Sequence, residues 1–211
     1  LKEGKISADN LDYVVFYEKP FRKFERNLIM SLAYFPKSHL LFVDAMKNFL
    51  TEKLWIKSII ASKLRINPEK ILFVPHHISH AAASYFSSPF NSAAFLTLDG
   101  VGEWTSGCWG EASQNKLYPK RELRFPHSVG LLYAAFTAFC GFEVNDGEYK
   151  LMGMAGYGKP IHIDRVKKLY KQYRDGFITL NFEYFAFHRS AQKMYTNKFQ
   201  ELFKELNPSD V

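Results

Sequence analysis

A chain of 211 residues, 47% apolar and 17% aromatic, can bury a full core in one large domain or two small ones. Its formal charge of +7 permits an anionic partner, but the basic residues of the last third, such as Arg165, Lys167, Lys168, Lys171 and Arg174, come without an arginine-rich tract or RNA-binding signature, so nucleic acid is not an expected partner. No apolar run reaches the roughly 18 residues of a membrane span, and Cys108 and Cys140 suggest neither a disulfide framework nor a thiolate metal site.

The amino terminus, "LKEGKISADNLDY", lacks the apolar core of a signal peptide, so the expected location is the cytoplasm. The chain opens on Leu1 and stops at "NPSDV" without a recognisable closing element; it reads as a piece of a longer protein. In chain order, "LDYVVFYE" is a β-rich strand, and Leu41 to Leu64 keeps helical apolar spacing, as one long helix or two joined near Thr51. Asn67-Pro68 ends it. "KILFV" is a short buried strand, a helix runs from about Pro75 to Ser87, and "SAAFLTLDG" is a second buried strand, together a βαβ unit. "EWTSGCWGEA" and "KLYPKRELRF", separated by "SQN", are successive antiparallel strands, so the sheet is expected to be mixed. Ser128 is placed to cap the helix "VGLLYAAFTAFCGF", and a second helix follows around Glu148 to Met154. Beyond Gly158 come a basic helix, a strand "GFITLN" and aromatic-rich helical material.

Three stretches carry chemistry. The first, "VPHHISHAAASYF", places His76 and His80 one turn apart on a helix, so their ring nitrogens can reach one ion. His77 lies roughly 100° round that helix, as an outer donor, a phosphate contact or a packed side chain. Two ligands do not close a metal site, and the glutamate of a zincin helix is missing. The plainer alternative is buried histidines bonded to backbone.

The second, "LTLDGVGEWTSGCWG", puts Asp99 at the carboxyl end of a strand, where α/β sheets bind ligands. Gly100 and Gly102 free the next backbone to approach a phosphate. A hairpin turn is the alternative. In a βαβ unit both this turn and the start of the histidine helix open at one sheet edge, so the histidines and Asp99 are expected to face one cleft. The third, "NDGEYKLMGMAGYGKP", carries Glu148, Tyr149 and Lys150 among glycines, suited to clamping a nucleotide or phosphorylated substrate. No Walker motif can be drawn.

In this order, "HHISHAAASYFSSPF", "LTLDGVGEWTS" and "FPHSVGLLYAAFTAFCGFEVNDGEYKLMGMAGYG" resemble the carbamoyltransferase family of nodulation and antibiotic-tailoring O-carbamoyltransferases, from about Phe35 to Pro160. That family's amino-terminal domain is similar to the tRNA threonylcarbamoyl-transfer proteins of the actin and Hsp70-like ATPase superfamily. The resemblance implies an α/β fold with a mixed sheet and flanking helices, a partial ribonuclease H-like domain. Residues 1–160 would be its metal- and nucleotide-binding part, and residues 161–211 a basic helical extension of it.

The resemblance further implies a two-stage reaction. A YrdC-like domain, expected in the full chain, condenses ATP with carbamoyl phosphate to carbamoyl-adenylate; the domain resembled here passes the carbamoyl group to the hydroxyl of a small-molecule acceptor. His76 and His80 match the metal ligands, with iron or another divalent metal as cofactor. Asp99 and Lys150 are the catalytic candidates, and Gly100, Gly102, Glu103, Glu148, Tyr149 and Gly153 the cofactor-binding ones. The family's third metal ligand, an aspartate far downstream, lies beyond this chain, so these residues alone are expected to be inactive. A homodimer is left open, and no membrane is expected. The other readings are a tRNA-modifying relative, a metal-dependent hydrolase and a noncatalytic nucleotide-binding module with structural histidines.

Overall fold

The structure, a computed structural model, describes residues 1, 3–51 and 53–204. The terminal "NPSDV" lies outside them. The chain is α/β, with eight α-helices and seven strands in three small sheets among the described residues. No helix there is long and apolar enough to cross a membrane.

β1 (Val14–Phe16) is the core of the first expected strand, and it pairs in parallel with β2 (Ile71–Phe73). The crossover between them holds α1 (Pro20–Ala33), α2 (His39–Thr51) and α3 (Ile56–Leu64). Proline at its first position starts α1 without losing a hydrogen bond. The expected long helix is thus two, broken beside Thr51 by a 3-10 turn at Lys53–Trp55. Arg65 ends α3 in the left-handed conformation, and Asn67 caps the turn Pro68–Lys70 by accepting the Glu69 N–H.

α4 (His76–Phe86) and β3 (Ser92–Leu98) follow as expected. β3 does not join β2 in one parallel sheet. It pairs antiparallel with β4 (Thr105–Ser113), which pairs with β5 (Lys116–Arg124). The short loops of this meander cost little closure entropy, whereas β2 has only three residues and an edge already taken by β1. No sheet among the described residues is mixed, and β3 is not buried on both faces. Phe95 and Thr97 point inward while Leu96 and Leu98 are exposed, the alternation of a sheet covered on one side. That cover is α4, whose Ala81 and Tyr85 pack on Phe95, Cys108 and Ala112. The β4–β5 turn is made by Gln114 and Asn115, both with positive φ, as a two-residue hairpin requires.

Ser128 does cap α5 (Val129–Phe139), its Oγ accepting the Leu131 N–H. α6 (Glu148–Ala155) occupies the expected second helix. The last quarter departs most from expectation. The basic helix shrinks to α7 (Ile163–Val166), and its continuation becomes β6 (Tyr170–Gln172), paired antiparallel with β7 (Ile178–Leu180). The aromatic-rich stretch is mostly irregular until α8 (Asn197–Leu202). Its rings are core: Phe185, Phe199 and Phe203 are fully buried, with Phe136 and Phe139 of α5 against them. Alternating basic and aromatic residues gave a helical pattern, but the aromatic payload is spent filling a cavity rather than lining a helix face.

Candidate functional site

α4 begins directly after β2, with Pro75 holding the extended conformation that precedes a helix start. His76 and His80 therefore sit one turn apart, and their Nε2 atoms lie 3.0 Å from each other. Asp99 leaves the end of β3 and brings its Oδ2 to 2.6 Å from His76 Nε2 and 3.5 Å from His80 Nε2. The expectation of one cleft is met although β2 and β3 share no sheet, because α4 lies across the β3–β4 ladder. Atoms bound at about 2.1 Å to one ion stand about 3.0 Å apart at right angles and about 3.4 Å apart at tetrahedral angles. The separations from His80, 3.0 Å to His76 Nε2 and 3.5 Å to Asp99 Oδ2, match that requirement for a divalent metal, whereas His76 and Asp99 at 2.6 Å are at hydrogen-bond distance and would have to part by about 0.4 Å to share an ion.

The hydrogen bond from His76 is the main force on Asp99, and with the Gly100 amide it holds the carboxyl well below the usual carboxylate range. The same bond raises His76, against the opposing effect of burial. An ionised carboxylate is what a cation needs, and a metal would take the place of the proton the pair shares. Nδ1 of His76 is buried with no hydrogen-bond partner among the described residues. His80 is half exposed, leaving one side of the cluster open to a ligand.

The support beneath the cluster is polar and buried. His77 is not a ligand: its Nε2 donates to the Thr105 carbonyl at 2.9 Å and its Nδ1 faces the Thr97 hydroxyl at 2.8 Å. Burial pushes its pKa down, keeping it neutral in that role. Glu103, 5% exposed, accepts the backbone N–H of His76 at 3.1 Å and of Lys19 at 2.7 Å. It thereby satisfies the first turn of α4 and the cap residue of α1 at once, where a negative charge also complements both helix dipoles. Arg26, buried, donates to the carbonyls of Gly102 and Glu103 at 2.8 and 2.7 Å. Burial pushes its guanidinium down to about 10 despite the attraction of Glu103 and Glu18.

The hairpin glycines serve close packing. A Cβ on Gly102 would meet the His76 Cβ at 2.8 Å, and the Gly102 amide donates to the Thr105 carbonyl. The Gly100 amide is taken by its neighbour's carboxylate at 2.6 Å. Gly130, which sequence reasoning passed over, lets the start of α5 lie against the Asp99 carbonyl, and the Ser128 hydroxyl donates to the Gly100 carbonyl at 2.7 Å. Arg26 was equally silent in the sequence: it lies in the polar and aromatic stretch "KPFRKFERNLIM", and only the fold turns it inward.

The third stretch stays apart. Glu148 accepts the Asn145 N–H at 2.9 Å at the start of α6. Tyr149 is exposed, with Lys150 Nζ 5.7 Å from its ring centre, and a Cβ on Gly153 would meet open space. None of the four makes a hydrogen bond or ion pair with His76, His80 or Asp99.

The pattern finds its counterpart in known proteins. A family model described as the carbamoyltransferase N-terminus matches residues 1–208. An uncharacterized protein of Synechocystis sp. is 44% identical over 211 residues, covering 96% of this chain and 34% of that protein. The nodulation protein NolNO of Sinorhizobium fredii is 34% identical over 130 residues, covering 60% of this chain and 19% of that protein. An uncharacterized protein of Methanocaldococcus jannaschii is 30% identical over 132 residues, 54% of this chain and 21% of its own. The chain spans about a third or less of the length of these relatives. With nearly every residue matched by that model, this chain belongs to the carbamoyltransferase family, as part of its N-terminal region.

Proposed function

We propose that the chain is the metal-holding part of an O-carbamoyltransferase, which moves a carbamoyl group from carbamoyl phosphate, through an ATP-derived carbamoyl-adenylate, to the hydroxyl of a small-molecule acceptor. The observation that carries this reading is the convergence of His76 Nε2, His80 Nε2 and Asp99 Oδ2 within 3.5 Å of one another, in a chain of this family. A divalent metal held there, with iron as the first candidate, supplies Lewis-acid polarisation of a bound phosphoryl or carbonyl oxygen.

The chain's own residues do the rest. His76 and His80 present ring nitrogens from one helix face, and Asp99 brings the negative charge. Its depressed pKa suits Asp99 to ligation and makes it a weak base at neutral pH, so another group takes the acceptor's proton. Glu103 and His77 fix the α4 backbone, so the two rings keep their aim. The open side at His80 admits the donor. Glu148, Tyr149 and Gly153 are assigned to the nucleotide, and Lys150 stays a catalytic candidate.

The test uses the full-length protein with ATP, iron and labelled carbamoyl phosphate, beside a His76→Ala variant. Carbamoyl-adenylate formed by both proteins, with transfer to an acceptor only by the parent, is the expected result. Absence of adenylate in a folded parent protein sinks the reading at its first step. Equal transfer by the variant removes the histidines from the mechanism.

A further inference from the structure

Beside the metal-ligand cluster lies a second concavity that no motif announced. The end of β1, the start of α1 and one face of α3 enclose about 420 Å³, lined by Tyr17, Glu18, Lys23, Lys53, Ile59 and Lys63. That volume lies within the roughly 300–1,000 Å³ of small-molecule sites. The wall between this pocket and the cluster is Tyr17, whose ring centre stands 5.8 Å from that of His76 and whose carbonyl accepts from Ser79 at 3.4 Å.

The pocket's charge is lopsided. Glu18 is buried and accepts Lys23 Nζ at 2.7 Å, so these two neutralise each other. Lys53 stands 5.8 Å from the centre of the Phe49 ring, and Lys63 lies near the end of α3. Among the described residues neither has a carboxylate within ion-pair distance, so two lysines line one cavity without an ion-pair partner among those residues. Lysines bind oxyanions as mobile point charges, tolerant of the anion's orientation.

We infer that this pocket is an oxyanion subsite, holding a phosphoryl or carboxylate group of the molecule whose reacting end lies at His76, His80 and Asp99. The placement of the reacting end rests on the proposed function; the anion site itself does not. A ligand reaching past Tyr17 joins the two, which would let one charged end anchor a substrate while its other end meets the cluster.

The experiment titrates the full-length protein, stripped of metal, with inorganic phosphate by calorimetry, for the parent, a Lys53→Ala/Lys63→Ala variant and a Lys53→Arg/Lys63→Arg variant. Stoichiometric iron binding is measured in parallel on each. The alanine pair is expected to weaken phosphate about tenfold, and the arginine pair to restore it, with added salt lowering both. Both lysines are exposed, and circular dichroism confirms that the variants fold. Equal phosphate affinity in the parent and the alanine variant overturns the subsite. Lysine-dependent phosphate binding in a protein that takes up no iron keeps the subsite and removes the metal reading. Competition by carbamoyl phosphate assigns the anion to the donor; competition by acetate alone assigns it to an acceptor carboxylate.

Discussion

Around His76 most buried side chains are polar and reach a directional bond, whereas beyond α5 most are apolar, with aromatic rings held by contact alone. Arg26, Glu103, His77 and Ser128 are all buried, and each reaches a named backbone atom or hydroxyl. Phe185, Phe199 and Phe203 are fully buried too, but their ring centres lie 4.9–6.0 Å apart at varied tilts. The first arrangement fixes positions to a few tenths of an ångström and carries a large penalty for any group left unpaired. The second supplies stability and tolerates small shifts. Damage to the aromatic part should therefore appear in unfolding, and damage to the polar part in metal affinity.

The largest effect expected is on the aromatic side. Phe199→Ala should cost about 3–5 kcal/mol, since the ring is fully buried against Phe136, Phe139 and Phe203. Denaturant unfolding of the full-length protein measures it, while iron affinity of the folded fraction stays within about twofold. A loss below about 1 kcal/mol would mean that the cluster is not the core it resembles.

Asp99→Asn sharpens the contrast from the other side. The amide keeps the shape but loses the charge that a cation needs, so iron affinity should fall about 100-fold or more, by equilibrium dialysis. The unfolding midpoint should fall too, since the carboxylate's bonds to His76 and the Gly100 amide stabilise the fold, but by less than in Phe199→Ala, because Asp99 is only partly buried. Unchanged iron affinity would leave the convergence of the two histidines with Asp99 as a plain hydrogen-bonded cluster.

Glu103→Gln tests whether the polar support does more than hold the fold. Removing the charge shared by two helix starts should cost about 1–2 kcal/mol. Iron affinity should fall about tenfold as the His76 backbone loosens. Stability lost with iron affinity intact would make Glu103 structural alone.

What the sequence disclosed follows the same division. The i, i+4 histidines, the Ser128 cap and the Asp-Gly at a strand end were legible because each is a local rule of helix or turn geometry. The meeting of Asp99 with both histidines was legible too, although by way of a βαβ sheet that the structure replaces with α4 lying across an antiparallel meander. Glu103 and Arg26 were not legible as supports, since their partners are backbone atoms up to 84 residues away. In the last quarter the strand "GFITLN" was legible and is β7, but its partner was not: "KKLYKQYRD" satisfies a helical pattern, and only the pull of Leu169 and Leu180 into one core makes it a strand.

The smallest effect expected lies where the two kinds of interior meet. His188 is a polar ring placed among aromatic ones, 4.7 Å from Tyr34, 4.6 Å from Phe182 and 6.0 Å from Phe187. Its Nδ1 is buried without a hydrogen-bond partner among the described residues. Burial first, and then the charge of Arg189, push its pKa down to about 4. Because the unfolded chain takes up a proton near pH 6.5 that the folded one refuses, this residue lowers stability as pH falls from about 6.5 towards about 4, and is silent above that window. Between pH 7 and pH 6 the parent should lose about 0.5 kcal/mol that a His188→Phe variant keeps, read as the difference in their unfolding midpoints. Equal losses in the two proteins would show that His188 is protonated in the folded state, so that the ring belongs to the polar interior rather than the aromatic one.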